Sequence, residues 1–296
     1  MILFIKMNIQ TERGIFMIKI MSDTSTLTSS FEAKEKGFTV APLSVTVNGA
    51  TYKELDEISS MDFVNIVRQG HIPTSSQPAI GDCLANFDSA AEDDIIIDIA
   101  MAHGLSGTYQ SALSASEMSR NSANITVINS RTLCGPHKYM VEKAVKLADE
   151  GKSKDEIIEA VHKCMDNSLS FLIPEDFDFL RRGGRLAPLA AHIGGALKLV
   201  PIMTLNEDCT RLVKAGLTRN FQKALNDTVI PALKKGGTDE NYLLTISHAD
   251  NMKRALVAKE ELLKHFPNTE IEIVLLTPAF ITQGGPGCVA IQSVLK

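Results

Sequence analysis

From Met17 onward the chain alternates short apolar runs with amphipathic stretches, the signature of an α/β architecture. This patterning predicts strands at 17–22, 38–47, 94–100, 125–129, 169–173, 199–205, 211–215, 242–247, 270–276 and 288–294. Helices are predicted at 60–69, 79–90, 107–119, 136–150, 154–167, 187–197, 219–235 and 250–265. Within the third strand, Ile95-Ile96-Ile97-Asp98-Ile99-Ala100 is apolar almost without a break, as a parallel strand covered on both faces requires. Ser153 followed three residues later by Glu156 is a capping box, and Gly151 closes the helix before it. Asn48-Gly49 between Val45-Thr46-Val47 and Ala50-Thr51-Tyr52 is a type I′ hairpin signal, which predicts an antiparallel ribbon on the first sheet.

A length of 296 residues suggests about two domains, and the most natural boundary lies near Asn167 to Pro174, where a helix ends and a second strand–helix series begins. Met17 opens a more convincing strand than anything before it, so residues 1–16 read as an N-terminal extension. The balance of 44% apolar and 22% charged residues is that of an ordinary globular chain and excludes disorder or a coiled coil. A net charge of −5 disfavours a nucleic-acid partner. Apolar runs stay short of the roughly 18 residues a membrane span needs. Five scattered cysteines, with no C-x-x-C pair and no Cys/His comb, point to reduced thiols in the cytoplasm and to no metal site.

Four polar segments carry candidate chemistry. Pro73-Thr74-Ser75-Ser76-Gln77-Pro78 sets hydroxyls ahead of a helix start, a donor-rich arrangement that suits an anion, or simply a helix cap. Gly104-Leu105-Ser106-Gly107-Thr108-Tyr109 follows the buried strand, where doubly wound sheets bind ligands. It nearly spells a nucleophile elbow, but Thr108 stands where that pattern needs glycine, so a ligand-binding hydroxyl fits better than a nucleophile. Arg181-Arg182-Gly183-Gly184-Arg185 offers guanidinium forks for a carboxylate, a phosphate or an acidic partner, or is a solvated turn. Thr282-Gln283-Gly284-Gly285-Pro286-Gly287 is a bend that could bring backbone close to a ligand. No P-loop and no G-x-G-x-x-G after the first strand supports a nucleotide.

Taken in order, these segments resemble the DegV family of bacterial fatty-acid-binding proteins, which includes the binding subunit of fatty acid kinase. The resemblance also rests on Asp23-Thr24-Ser25-Thr26, Ala41-Pro42-Leu43, Lys198-Leu199-Val200-Pro201-Ile202, Arg219-Asn220 and His248-Ala249. It implies an N-terminal α/β domain over 17–168 with a mainly parallel sheet and a C-terminal α/β domain over 169–296 with a mixed sheet. The resemblance also implies a ligand site at their interface, with segment 278–296 packing back there. By motif matching, Thr74 and Ser106 hold the carboxylate of a long-chain fatty acid, with Ser75, Gly107, Gln283 and His103 around it. Arg182, Arg185 and Arg219 serve the head group or partner docking. The tail occupies an apolar tunnel, no cofactor or metal is implied, and the bound acid is presented to a separate kinase subunit for acyl phosphate formation. Burying about 15 methylenes at roughly 0.8 kcal/mol each outweighs the roughly 1.5–3 kcal/mol of each charged hydrogen bond, so the tail supplies affinity and the hydroxyls orientation.

Two departures stand out. The family usually reads T-H-x-G-P-G where this chain has Thr282-Gln283-Gly284-Gly285-Pro286-Gly287, and S-S-G-L-S-G-T where it has Ala102-His103-Gly104-Leu105-Ser106-Gly107-Thr108. The expectation is that His103 takes the imidazole's place from the opposite wall. The competing readings are a serine-dependent acyl hydrolase built on Ser106, for which nothing in the sequence marks His248 or His265 as the partner base, and an anion or sugar-phosphate module using the arginine turn.

Overall fold

The computed structural model describes residues 10–11, 14–15, 17–188, 190 and 199–296. Within the expected extension, Gln10–Thr11 and Gly14–Ile15 form a small antiparallel pair. The rest of 1–16, nearly all of the expected helix 187–197, His192 and Lys198 lie outside the described residues.

Every predicted strand is present, arranged as an α/β fold. A four-stranded, wholly parallel sheet runs in the order Thr39–Ala41, Ile18–Asp23, Ile95–Ala100, Ile125–Asn129. A six-stranded mixed sheet runs Leu212–Thr218, Val200–Leu205, Ser168–Ile173, Val289–Leu295, Tyr242–His248, Glu270–Leu275, and its last pair alone is parallel. The predicted strand 38–47 divides between two sheets. Pro42, which has no N–H to give a ladder, separates Thr39–Ala41 from Ser44–Val47.

Asn48 and Gly49 have φ of 51° and 76°, both left-handed, as a type I′ turn demands. The ribbon does not extend the first sheet as expected. Its strands, Ser44–Val47 and Ala50–Lys53, pair with Thr74–Ser76 in a separate three-stranded antiparallel sheet. The hydroxyl segment expected as a loop is therefore an edge strand, and the helix after it, Ile80–Asp88, begins without a side-chain cap.

Among the described residues the α-helices fall where predicted outside 187–197, joined by Ser30–Glu35, by Pro278–Gly284 and by Phe177–Gly183, which follows a helical-looking stretch of sequence. The Ser153–Glu156 capping box forms in both directions. The predicted helix 219–235 is interrupted by a π-helical turn at Leu225–Val229. Helix Cys134–Asp149 packs Met140, Val141 and Ala144 against Ile20, Ile97 and Ile99 of the parallel sheet, in one core with Leu243 and Val294 of the mixed sheet. On the mixed sheet, strand alternation sends Phe171, Ile173, Val289 and Ile291 toward Leu225, Leu233, Ala255 and Leu262. The opposite face, carrying Ser170, Leu172, Ala290 and Gln292, turns toward the carboxyl end of the parallel sheet.

Candidate functional site

A cavity occupies the space between that face and the parallel sheet. Ser170 and Leu172 of one strand lie in register with Gln292 and Ala290 of the next, and these four residues line it. Met101, Leu105, Leu133 and Cys134, from loops following the parallel strands and the start of the long helix, line it from the other side. Leu205, Leu212, Leu276 and Phe280 complete an almost wholly apolar wall. The cavity has a volume of about 90 Å3.

At one end the cavity meets a smaller hollow, of about 30 Å3, where Ser75, Ser76, Gln77 and Ser106 add hydroxyl and amide groups to the lining. Met101, Leu105, Arg185, Phe280 and Gln283 line both spaces, so the polar hollow and the apolar cavity adjoin. Three separate stretches meet here. The edge strand brings Ser75, the loop before helix Thr108–Met118 brings Ser106, and helix Pro278–Gly284 brings Gln283. Gln283 Nε2 donates to Ser75 Oγ at 3.1 Å, while its Oε1 is buried without a partner. Gly183 leaves room for this amide, because a Cβ there would overlap Gln283 Oε1 and push it aside. Ser106 Oγ accepts from Thr108 N at 3.3 Å and lies 2.8 Å from Thr108 Oγ1, beside the positive end of the helix.

Arg185 is the charged group of the mouth. Its Nε donates to Leu105 O at 3.0 Å and its Nη1 to Gly183 O at 2.6 Å, which fixes the guanidinium between the two cavities. Among the described residues no carboxylate lies within ion-pair distance of it. Burial, and secondarily the Arg211 guanidinium, lower its pKa, the mark of a cation short of counter-charge.

The family model for "Uncharacterised protein, DegV family" matches residues 17–296. The chain belongs to the DegV family. A DegV domain-containing protein of Listeria innocua is 28% identical over 94% of this chain and 99% of its own length. Among solved structures, a fatty acid binding DegV protein of Bacillus subtilis superposes with a TM-score of 0.83 at 25% identity, covering 95% of this chain and all of that one. A DegV family protein of Thermus thermophilus, described for its fatty acid binding, gives 0.85 at 24% identity over the same shares.

Of the expected DegV site residues, the structure brings Ser75, Ser106, Gln283 and Arg185 together at the mouth and leaves others out. Thr74, next along the edge strand from Ser75, is exposed and lines neither space. His103 is exposed and outside the lining. Its Nδ1 meets Asn129 Nδ2 at 2.9 Å and its ring stands edge-on to Tyr109. Arg182 is exposed over the Phe179 ring, and Arg219 is exposed beyond the edge strand. Gly107 precedes the helix, and a Cβ there would overlap the Gln77 amide. For the hydrolase reading, no imidazole among the described residues hydrogen-bonds Ser106. His248 Nδ1 accepts from Asn251 N, and His265 meets Lys234.

Composition and motif spacing did not single out Glu54, which braces the mouth. It is fully buried, accepts Thr24 Oγ1 at 2.5 Å and Ala279 N at 2.7 Å, and thereby ties the hairpin to the start of helix Pro278–Gly284. Burial pushes its pKa up to about 7 against the lowering effect of these bonds. Asp23 plays a similar part for the Asp-Thr-Ser-Thr segment, accepting Ser25 N at 2.8 Å and Met101 N at 3.0 Å. Its charge adds to the burial that raises the neighbouring Asp98 to about 7. No group of three or more metal-ligating side chains occurs among the described residues, and no described helix is long and apolar enough to cross a membrane.

Proposed function

We propose that this chain binds one long-chain fatty acid, its carboxylate at the mouth and its hydrocarbon tail in the apolar cavity. The observation that carries this reading is the half-buried Arg185, without a carboxylate partner among the described residues, at the point where a hydroxyl-rich hollow opens into a cavity walled by Leu, Met and Phe. A guanidinium held there by two carbonyls presents its remaining N–H groups to an anion, and a carboxylate is the anion that brings an apolar tail with it. Ser106 and Ser75 donate hydroxyls, Gln283 lies beside them, and the helix after Ser106 adds its positive end. Thr74 and His103, which line neither space, stay outside the ligand contacts. The fatty acid binding of the solved DegV proteins from Bacillus subtilis and Thermus thermophilus supports the same assignment.

In this reading 17–168 and 169–296 are two lobes that close on the ligand. The protein acts in the cytoplasm as a carrier, offering the bound acid to a separate kinase subunit that forms the acyl phosphate. Titration of delipidated protein with stearic acid and with methyl stearate tests the head-group assignment. Stearic acid should bind at least tenfold more tightly, since a hydrogen bond to a charged group contributes about 1.5–3 kcal/mol. Equal affinities would refute the assignment.

A further inference from the structure

The cavity's apolar wall has one polar interruption away from the mouth. Ser170 and Gln292 face each other in register on neighbouring strands, on the side of the mixed sheet that forms the floor. Gln292 Nε2 donates both to Leu133 O at 3.0 Å and to Ser170 Oγ at 2.8 Å, and its Oε1 accepts from Gly135 N at 3.2 Å. That spends both amide protons but only one of the two lone pairs of the carbonyl oxygen. Ser170 Oγ accepts from the amide, and among the described residues its own proton has no acceptor. The floor therefore offers one free donor and one free acceptor side by side, surrounded by Leu172, Ala290 and Leu133.

A saturated tail satisfies neither group. An alcohol hydroxyl satisfies both, since its oxygen accepts from Ser170 while its proton goes to Gln292 Oε1. We propose that Ser170 and Gln292 form a second polar subsite that selects a fatty acid carrying a hydroxyl part-way along its chain. This deepens the fatty-acid reading and rests on it. Sites built to hydrogen-bond a ligand hydroxyl disfavour the analogue that lacks it, because their buried polar groups are then left without partners.

The test is a competition series on the delipidated full chain, with stearic acid and a set of hydroxystearic acids that place the hydroxyl at successive mid-chain carbons. The wild type should prefer at least one isomer over stearic acid by roughly threefold to tenfold, the value of one or two neutral hydrogen bonds. Ser170→Ala should abolish that preference while stearic acid binds as well as before or better. If Ser170→Ala does not fold, the positional series on the wild type decides alone, because a pair that merely stitches two strands together gives no optimum along the chain. Stearic acid bound as tightly as every hydroxylated isomer would overturn the subsite and leave the fatty-acid reading standing. Failure of all the acids to bind would overturn both.

Discussion

The Gln283 amide donates to the Ser75 hydroxyl at 3.1 Å, a bond between residues 208 positions apart in sequence. It joins the edge of the hairpin sheet to the helix that precedes the last strand, and so closes one side of the mouth. Both side chains act through the same bond, so their effects should not add. Ser75→Ala and Gln283→Ala are each expected to weaken stearic acid binding several-fold, and the double variant little further, in a thermodynamic cycle of binding constants. Fully additive losses would mean that the two residues act separately.

Arg185 lacks a carboxylate partner among the described residues, so its charge gains from the ligand what the folded chain does not supply. Arg185→Met should lower fatty acid affinity by more than tenfold while changing the free energy of unfolding by less than about 1 kcal/mol, a contrast read from titration and urea denaturation. A large loss of stability with unchanged affinity would make it a structural residue.

Glu54 sets a pH dependence. Its folded pKa of about 7 lies above its ordinary value of 4.5, so the folded state holds a proton that the unfolded state has lost between those limits. The associated stability is fully present below pH 4.5 and is lost as pH rises through about 7. Asp98, raised from 3.8 to about 7, acts in the same direction. Urea midpoints at pH 5.5 and 8.5, chosen on either side of about 7, should show the wild type weaker at the higher pH and Glu54→Gln with a shallower slope. Identical slopes would remove Glu54 from the account.

Gly183 leaves room for the Gln283 amide, and any added methyl must displace it. Gly183→Ala should weaken fatty acid binding by displacing the amide while changing stability little, since only the end of a flexible side chain has to move. Gly184, where a Cβ meets nothing nearby but φ is +71°, should lose stability on substitution by Ala without the same loss of binding.

Much of this was legible in the sequence because burial writes itself as periodicity. The run Ile95–Ala100, the Asn48-Gly49 turn and the Ser153–Glu156 box each form as their patterns demand. Thr74–Ser76 was hidden because three hydroxyl residues on an exposed edge leave no apolar alternation. Helix Pro278–Gly284 was hidden by its seven-residue length and the glycines at its end, and part of its start is secured by the remote Glu54 carboxylate. The motifs indicated which segments converge. Which residues of each segment reach the mouth depended on where the strand passes it, and so Ser75 and Ser76 line the mouth while Thr74 does not. His103 was drawn away by Asn129, a contact that spacing alone does not encode.

The most direct test of the central claim is to weigh the purified full-length chain by mass spectrometry under native and then denaturing conditions, and to identify any lipid released. The account predicts one long-chain fatty acid per chain, released intact on denaturation, and its loss from Arg185→Met. A chain that carries no lipid and takes up no stearic acid when it is supplied would contradict the account.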